Sequence, residues 1–335
     1  MTAHRPSITG RRGPPRAAWR AGLALLWAAT SGAAPGGAAV DEAQGTAPLR
    51  VAFSSRMFVD VNENDAKAAM KVWAQTLGQE RGIPVDSETK ILAGPTAIAQ
   101  AMRGDLIDAI TMTADEYWAV RKEVPLGPFI LGIKNGRTTE EYVLLVHRDS
   151  GIARLGELRG RSLIVFQSPK ASLAPAWLET LLLQDGLSRT AEFWSQVTEA
   201  SKLIRVILPV FFRQADACLL TREGFQTMSE LNPQVGRQLK VLATSTAVVP
   251  IVFCFRGAYN SPDRDKLLAS IDRIHETSAG RQTLTLFQSE RLVAGPATSL
   301  DSACELLDRH RQLLDAATSA RPPAASVTGE GGNRR

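Results

Sequence analysis

The side chains in this chain that could carry out bond-making chemistry are few and scattered. There are four histidines, His4, His147, His275 and His310, and three cysteines, Cys218, Cys254 and Cys304. A histidine acts as general base when a hydroxyl or thiol nucleophile lies within hydrogen-bond reach, and it binds metal when other ligands recur at fixed spacing. Neither pattern occurs. The histidines are isolated: His147 precedes Arg148-Asp149, and His275 and His310 fall in charged helical stretches. Cys218 and Cys254 lie in the apolar runs Ala217–Leu220 and Val252–Phe255 and read as buried small hydrophobes. One pairing among the three cysteines is allowed, and spacing does not say which. The chain has no Gly-x-Gly-x-x-Gly after a strand, no Walker loop, no Gly-x-Ser-x-Gly and no His-Glu-x-x-His. The most compact polar cluster, Thr113-Ala-Asp-Glu116, has the spacing of a helix capping box. The chemistry on offer is therefore binding by hydroxyls, amides and charges.

The elements that must position such groups alternate. Leu49–Phe53 reads as a strand, and a helix follows from Asp65 to Leu77, capped by Asn64 or Asp65, with an apolar face of Ala69, Val72, Trp73, Thr76 and Leu77. A strand near Ser87–Leu92, a helix from Gly94-Pro95 to Gly104, a strand over Leu106–Met112 and a helix over Asp115–Lys122 complete a first α/β round. Strands Phe129–Ile133 and Tyr142–His147 lead to a second round. It comprises a short helix at Leu155–Gly160, strand Ser162–Phe166, a helix ending near Gln184, a helix over Ser201–Phe212, strand Ala215–Leu220, helix Thr221–Leu231 and strand Leu239–Ala243. Strand Val248–Phe255, a helix from Ser261-Pro262 to His275 and shorter helices to about Leu314 close the sequence. The pattern predicts an α/β protein of two lobes, each a mostly parallel sheet flanked by helices. Extended connections near 134–147 and 244–255 join the lobes as hinge strands. The expected division is residues 48–141 with 253–316 for lobe one and 142–252 for lobe two.

The 335 residues carry a net charge of +5, which would point to nucleic acid. Five arginines precede the first carboxylate, Asp41, and the rest holds 34 basic against 34 acidic residues, so no nucleic-acid partner is expected. Arg5 to Arg20, the apolar run Ala21–Ala29 and the small residues up to Ala39 form the three parts of an export signal over residues 1–39. The apolar run falls short of the ~20 residues that span a bilayer. Arg11-Arg12 is followed by Gly-Pro-Pro rather than the apolar residue of a twin-arginine signal. Residues 317–335 have no apolar periodicity and read as a disordered tail. An exported, unanchored protein of the bacterial periplasm is expected.

The sequence resembles the phosphate/phosphite/phosphonate-binding periplasmic proteins of ABC importers, a type II periplasmic binding fold. The segments that carry the likeness are Leu49–Ser55, Ala66–Leu77 with Gly82–Val85, Ala97–Ala109, and Tyr142–Ile152 with Leu155–Ser162. The resemblance implies a small anionic ligand between two lobes, delivery to a membrane permease, a monomer, no catalysis, no cofactor and no metal. It implies ligand contacts from Ser54, Ser55 and Arg56, from Thr111, Thr113 and Tyr117, from Gln167, Ser168, Lys170 and Ser172, and from Asp216 and Thr221. Lys170 reads either as an anion's counter-charge or as a solvated lysine, and Asp216 either as a strand end or as a partner of a ligand amine. One departure stands out. Thr113-Ala-Asp-Glu-Tyr117 places two carboxylates where the family has Gly-Pro-x-Ser-Tyr, and carboxylates repel an oxyanion. The alternative functional reading is a periplasmic sensing module for a membrane signalling protein. An exported enzyme would need a reactive group in the cleft, and only Cys218 lies near a strand end.

Overall fold

A computed structural model describes residues 47–319 apart from Asp60 and Phe287; the predicted export signal lies outside the described residues. In chain order the main elements are β1 (Val51–Ser54), α1 (Glu63–Arg81), β2 (Lys90–Leu92), α2 (Gly94–Arg103), β3 (Ala109–Thr113), α3 (Ala114–Val120), β4 (Leu126–Ile133) and β5 (Tyr142–His147). They continue with β6 (Ser162–Phe166), α4 (Ala174–Gln184), α5 (Thr190–Phe193), β7 (Gln196–Ala200), α6 (Leu203–Phe211), β8 (Ala217–Thr221), α7 (Arg222–Leu231), α8 (Pro233–Gln238) and β9 (Leu239–Thr244). The last are β10 (Ile251–Arg256), α9 (Pro262–Ser270), α10 (Ser278–Leu286), β11 (Arg291–Gly295) and α11 (Asp301–Ser319).

The strands form two sheets, ordered β11-β4-β10-β3-β1-β2 and β7-β6-β8-β5-β9. Both are mixed rather than mostly parallel. The α/β rounds are parallel, β2-β1-β3 in one sheet and β7-β6-β8 in the other. The strands that arrive through the crossings, β10 and β5, run antiparallel to their neighbours. The crossings meet each other: Glu140 and Val248 exchange backbone hydrogen bonds of 2.8 and 2.9 Å.

The central strands of each sheet are buried on both faces, and β5 accordingly reads as a nearly unbroken apolar run. Tyr142, Leu144 and Val146 pack with Trp177 and Leu178 of α4, while Val143 and Leu145 pack with Val206 and Val210 of α6. On the first sheet, Ala52, Ile110 and Met112 meet Ile98 and Met102 of α2. On its other face Val51, Phe53 and Phe255 meet Met70 and Trp73 of α1 and Leu267 of α9.

Local differences from the sequence reading have simple causes. Asn62, not Asn64 or Asp65, caps α1, accepting from Asn64 N at 2.8 Å. The buried face of α1 is Ala66, Met70, Trp73 and Ala74, and Val72 is exposed; the side chains of Ala69 and Leu77 lie outside the described ones. The predicted helix to His275 becomes α9 followed by a 3-10 stretch, Ile271–Glu276. Helix α11 runs on to Ser319, into the predicted tail. Instead of resting on the first lobe alone, α11 bridges both. Leu300, just before it, and Cys304 join a first-sheet core, and Ala303 and Leu307 join a second-sheet core. Asp308 accepts from Trp118 Nε1 of α3 at 2.8 Å, and His310 Nε2 lies 3.1 Å from Glu179 of α4. All three cysteines are buried and free.

Candidate functional site

The two sheets and their crossings enclose a cavity of about 500 Å³. Thr138, Thr139, Glu140 and Glu141 of the first crossing line it, with Lys170 before α4 and Arg222, Glu223, Gln226, Thr227 and Glu230 of α7. The α7 residues share one face because they recur at three- and four-residue steps. Lys134, Asn135 and Arg137 of the turn after β4 form the rim, and Thr111 of β3 marks the way into an apolar depth.

The polar wall is a chain of ion pairs. Lys170 Nζ is 3.3 Å from Glu223 and Arg222 Nε is 2.6 Å from Glu141, all four partly buried. Lys134 pairs with Glu290 at 3.0 Å. Arg137 is exposed and has no ion-pair partner among the described residues. Glu140 is the buried member. Its Oε1 accepts from Glu141 N at 3.2 Å and from Glu223 N, at the start of α7, at 3.5 Å. Burial pushes its carboxyl up to about 7 against those bonds, with the Glu223 charge adding to the rise.

Two of the residues expected to hold ligand, Thr111 and Lys170, line the cavity. The rest are placed as follows. Ser54 is fully buried, accepts from Arg56 N at 3.1 Å and donates through Oγ to Glu116 Oε1 at 2.7 Å. Thr113 is equally buried and donates to Glu116 Oε2 from N at 3.1 Å and from Oγ at 2.9 Å. The start of α3, where the resemblance implied ligand contacts from Thr113 and Tyr117, thus holds the chain's own Glu116 carboxylate. Asp115 pairs with Arg56, and Ser55 is exposed beside it. Tyr117 turns to the other face of the sheet, edge-on to Phe129 at 5.6 Å, and burial raises its hydroxyl. Gln167 donates to Glu199, and Ser168 caps the turn before α4, accepting from Lys170 N at 3.4 Å. Ser172 Oγ is buried and unpartnered among the described residues. Thr221 caps α7, accepting from Gly224 N at 3.1 Å. Asp216 sits just ahead of β8, at the end opposite α7, accepting from Ser162 N at 2.9 Å and Oγ at 2.8 Å.

Sequence reasoning missed the crossing residues Thr138 to Glu141 and the α7 stripe. The crossing was read for its extended backbone alone, although four consecutive polar residues ahead of an apolar strand were a usable signal.

Two mixed α/β sheets joined by a pair of extended crossings, with a cavity at their junction, define the type II periplasmic binding fold. The sequence profile described as "ABC transporter, phosphonate, periplasmic substrate-binding protein" matches residues 57–298, more than two thirds of the chain. The chain belongs to this family of periplasmic ABC substrate-binding proteins. Solved structures share its fold at low identity. A Xanthomonas citri protein bound to chloride ion is 17% identical, covering 80% of this chain and 99% of its own, at a TM-score of 0.59. A binding protein component of an ABC phosphonate transporter from Pseudomonas aeruginosa is 17% identical, covering 83% and 91%, at 0.57. PhnD1 from Prochlorococcus marinus in complex with methylphosphonate is 13% identical, covering 80% and 98%, at 0.55. No curated protein matches the sequence.

Proposed function

We propose that this chain captures a small oxyanion-bearing solute, of phosphonate or phosphate type, in the cavity between its sheets and delivers it to an ABC permease. The observation that carries this reading is the placing of Lys170, in the turn before α4, and Arg222, the first residue of α7, in the cavity wall. Both cations already bridge to carboxylates, so they are fixed in position before a ligand arrives, which lowers the ordering cost of binding. The hydroxyls of Thr111, Thr138 and Thr139 add neutral donors, and the crossings at Glu140 and Val248 are the natural bending points for closure.

Binding without bond-breaking agrees with the side chains present. Cys218 is buried, and burial pushes its thiol up, away from the reactive thiolate. His147 is buried at the far end of β5 and accepts from Asp149 N at 3.1 Å. Export through the N-terminal leader and action as a monomer belong to the same proposal.

Small-angle scattering with and without methylphosphonate and inorganic phosphate tests it. A smaller radius of gyration with either probe is the expected result. An unchanged radius with both contradicts capture by closure.

A further inference from the structure

The cavity is chemically two-ended. Its outer half is the ion-paired wall around Lys170 and Arg222, and its inner half is lined by Phe53, Trp73, Ile130, Phe253, Ile271 and Leu292. These inner residues belong to the core between the first sheet and the layer of α1, α9 and the 3-10 stretch, or pack against it. The core is therefore hollow where it meets the cleft. A bare oxyanion of five heavy atoms needs far less room than about 500 Å³, a volume in the ~300–1,000 Å³ range of sites for much larger organic ligands. It would also leave the inner wall against water.

A second observation fixes the orientation. On the first sheet's side, the donors at the ends of β1 and β3 are taken by the chain's own Glu116, which accepts from Ser54 and twice from Thr113. The start of α7 is likewise occupied, by Glu140 accepting from Glu223 N. Lys170 and Arg222 are the cations of the ion-paired wall, both on the second sheet's side, with Lys134 and Arg137 at the rim, while the strands of the first sheet offer apolar surface and Thr111.

We propose that the ligand is an oxyanion with an extended apolar substituent, its head between Lys170 and Arg222 and its tail in the hollow against Phe253, Ile271 and Leu292. This deepens the proposed function and rests on it.

Calorimetric titration of the full chain with inorganic phosphate, methylphosphonate, n-butylphosphonate and n-hexylphosphonate separates the two readings. Burial of the tail is expected to tighten binding roughly fourfold per methylene, about 60-fold from methyl to butyl. Phe253→Trp, which fills the hollow from a partly buried position, is expected to compress that methyl-to-butyl ratio to within about threefold. Its circular dichroism and melting transition report whether it folds, and the wild-type series stands without it. Equal affinity along the series, with methylphosphonate bound, overturns the tail site and leaves oxyanion capture standing. No binding by any member overturns both. A folded Phe253→Trp that keeps the full chain-length dependence also overturns the tail site.

Discussion

Removing the Glu116 carboxylate tests how the first sheet is closed to an anion. The side chain is fully buried and accepts three hydrogen bonds, at 2.7 Å from Ser54 Oγ, 3.1 Å from Thr113 N and 2.9 Å from Thr113 Oγ. In Glu116→Ala the two hydroxyls can rotate toward other acceptors, but the Thr113 N–H is fixed in direction and left orphaned. An orphaned buried donor costs ~1–3 kcal/mol, and a hydrogen bond to a charged group contributes ~1.5–3 kcal/mol. The lost charge at the start of α3 adds ~0.3–1 kcal/mol. These overlap, so the expected destabilisation is about 3–4 kcal/mol. Glu116→Gln keeps one acceptor for Thr113 but turns an amide N–H₂ toward Ser54, and about 1–2 kcal/mol is expected by the same bond values. Urea unfolding followed by tryptophan fluorescence reads both changes. Because the vacated site offers the same donors to an outside anion, added phosphate is expected to stabilise Glu116→Ala more than the wild type. A loss below ~1 kcal/mol for the alanine variant, or glutamine costing more than alanine, would mean that the three hydrogen bonds to Glu116 do not hold the start of α3.

The other expectations concern the cavity wall and the far end of the second sheet. Lys170→Met removes a cation that is largely buried beside Glu223 and is expected to weaken methylphosphonate binding by about 10- to 100-fold in calorimetry. Glu140 should make stability fall as pH rises. Below about 4.5 both folded and unfolded chains carry its proton and no cost arises. Between 4.5 and about 7 the unfolded chain ionises first, so folding loses up to roughly 3 kcal/mol, and above 7 the cost is constant. Glu140→Gln is therefore expected to remove this fall and to exceed the wild type in stability at pH 8 in urea unfolding, with no gain at pH 4. Asp216→Ala should cost about 1–3 kcal/mol through the donors of Ser162 while leaving methylphosphonate affinity within twofold, since Asp216 lies at the opposite end of β8.

What the sequence made legible follows from the range of the interactions involved. The α/β alternation, the Thr113–Glu116 cap and the burial of Cys218 and Cys254 are set by neighbours within a few residues, and they are read directly from pattern. Strand β11 escaped because its apolar run, Leu292-Val293-Ala294, is only three residues long and is held by pairing with distant β4. β7 escaped for a similar reason: it is an edge strand whose side chains are mostly exposed, so it shows no alternation. The division of the site was hidden for a deeper reason. Ser54 and Glu116 are 62 residues apart, and nothing local says that one carboxylate serves both as the cap of α3 and as the acceptor for β1. Asp216 reads as a ligand contact from its place near β8, but chain direction puts it at the strand's start rather than at the end that meets α7.

A solute held between Lys170 and Arg222, in the hollow joining the two sheets, would travel with the protein through purification. Native mass spectrometry of the chain purified from its own compartment tests it most directly, with the double variant Lys170→Met, Arg222→Met prepared alongside. An added mass on the wild type that mild denaturation releases as an organic oxyanion, and none on the variant, is the expected result. A wild type that carries nothing, or a variant that carries the same molecule to the same extent, contradicts it.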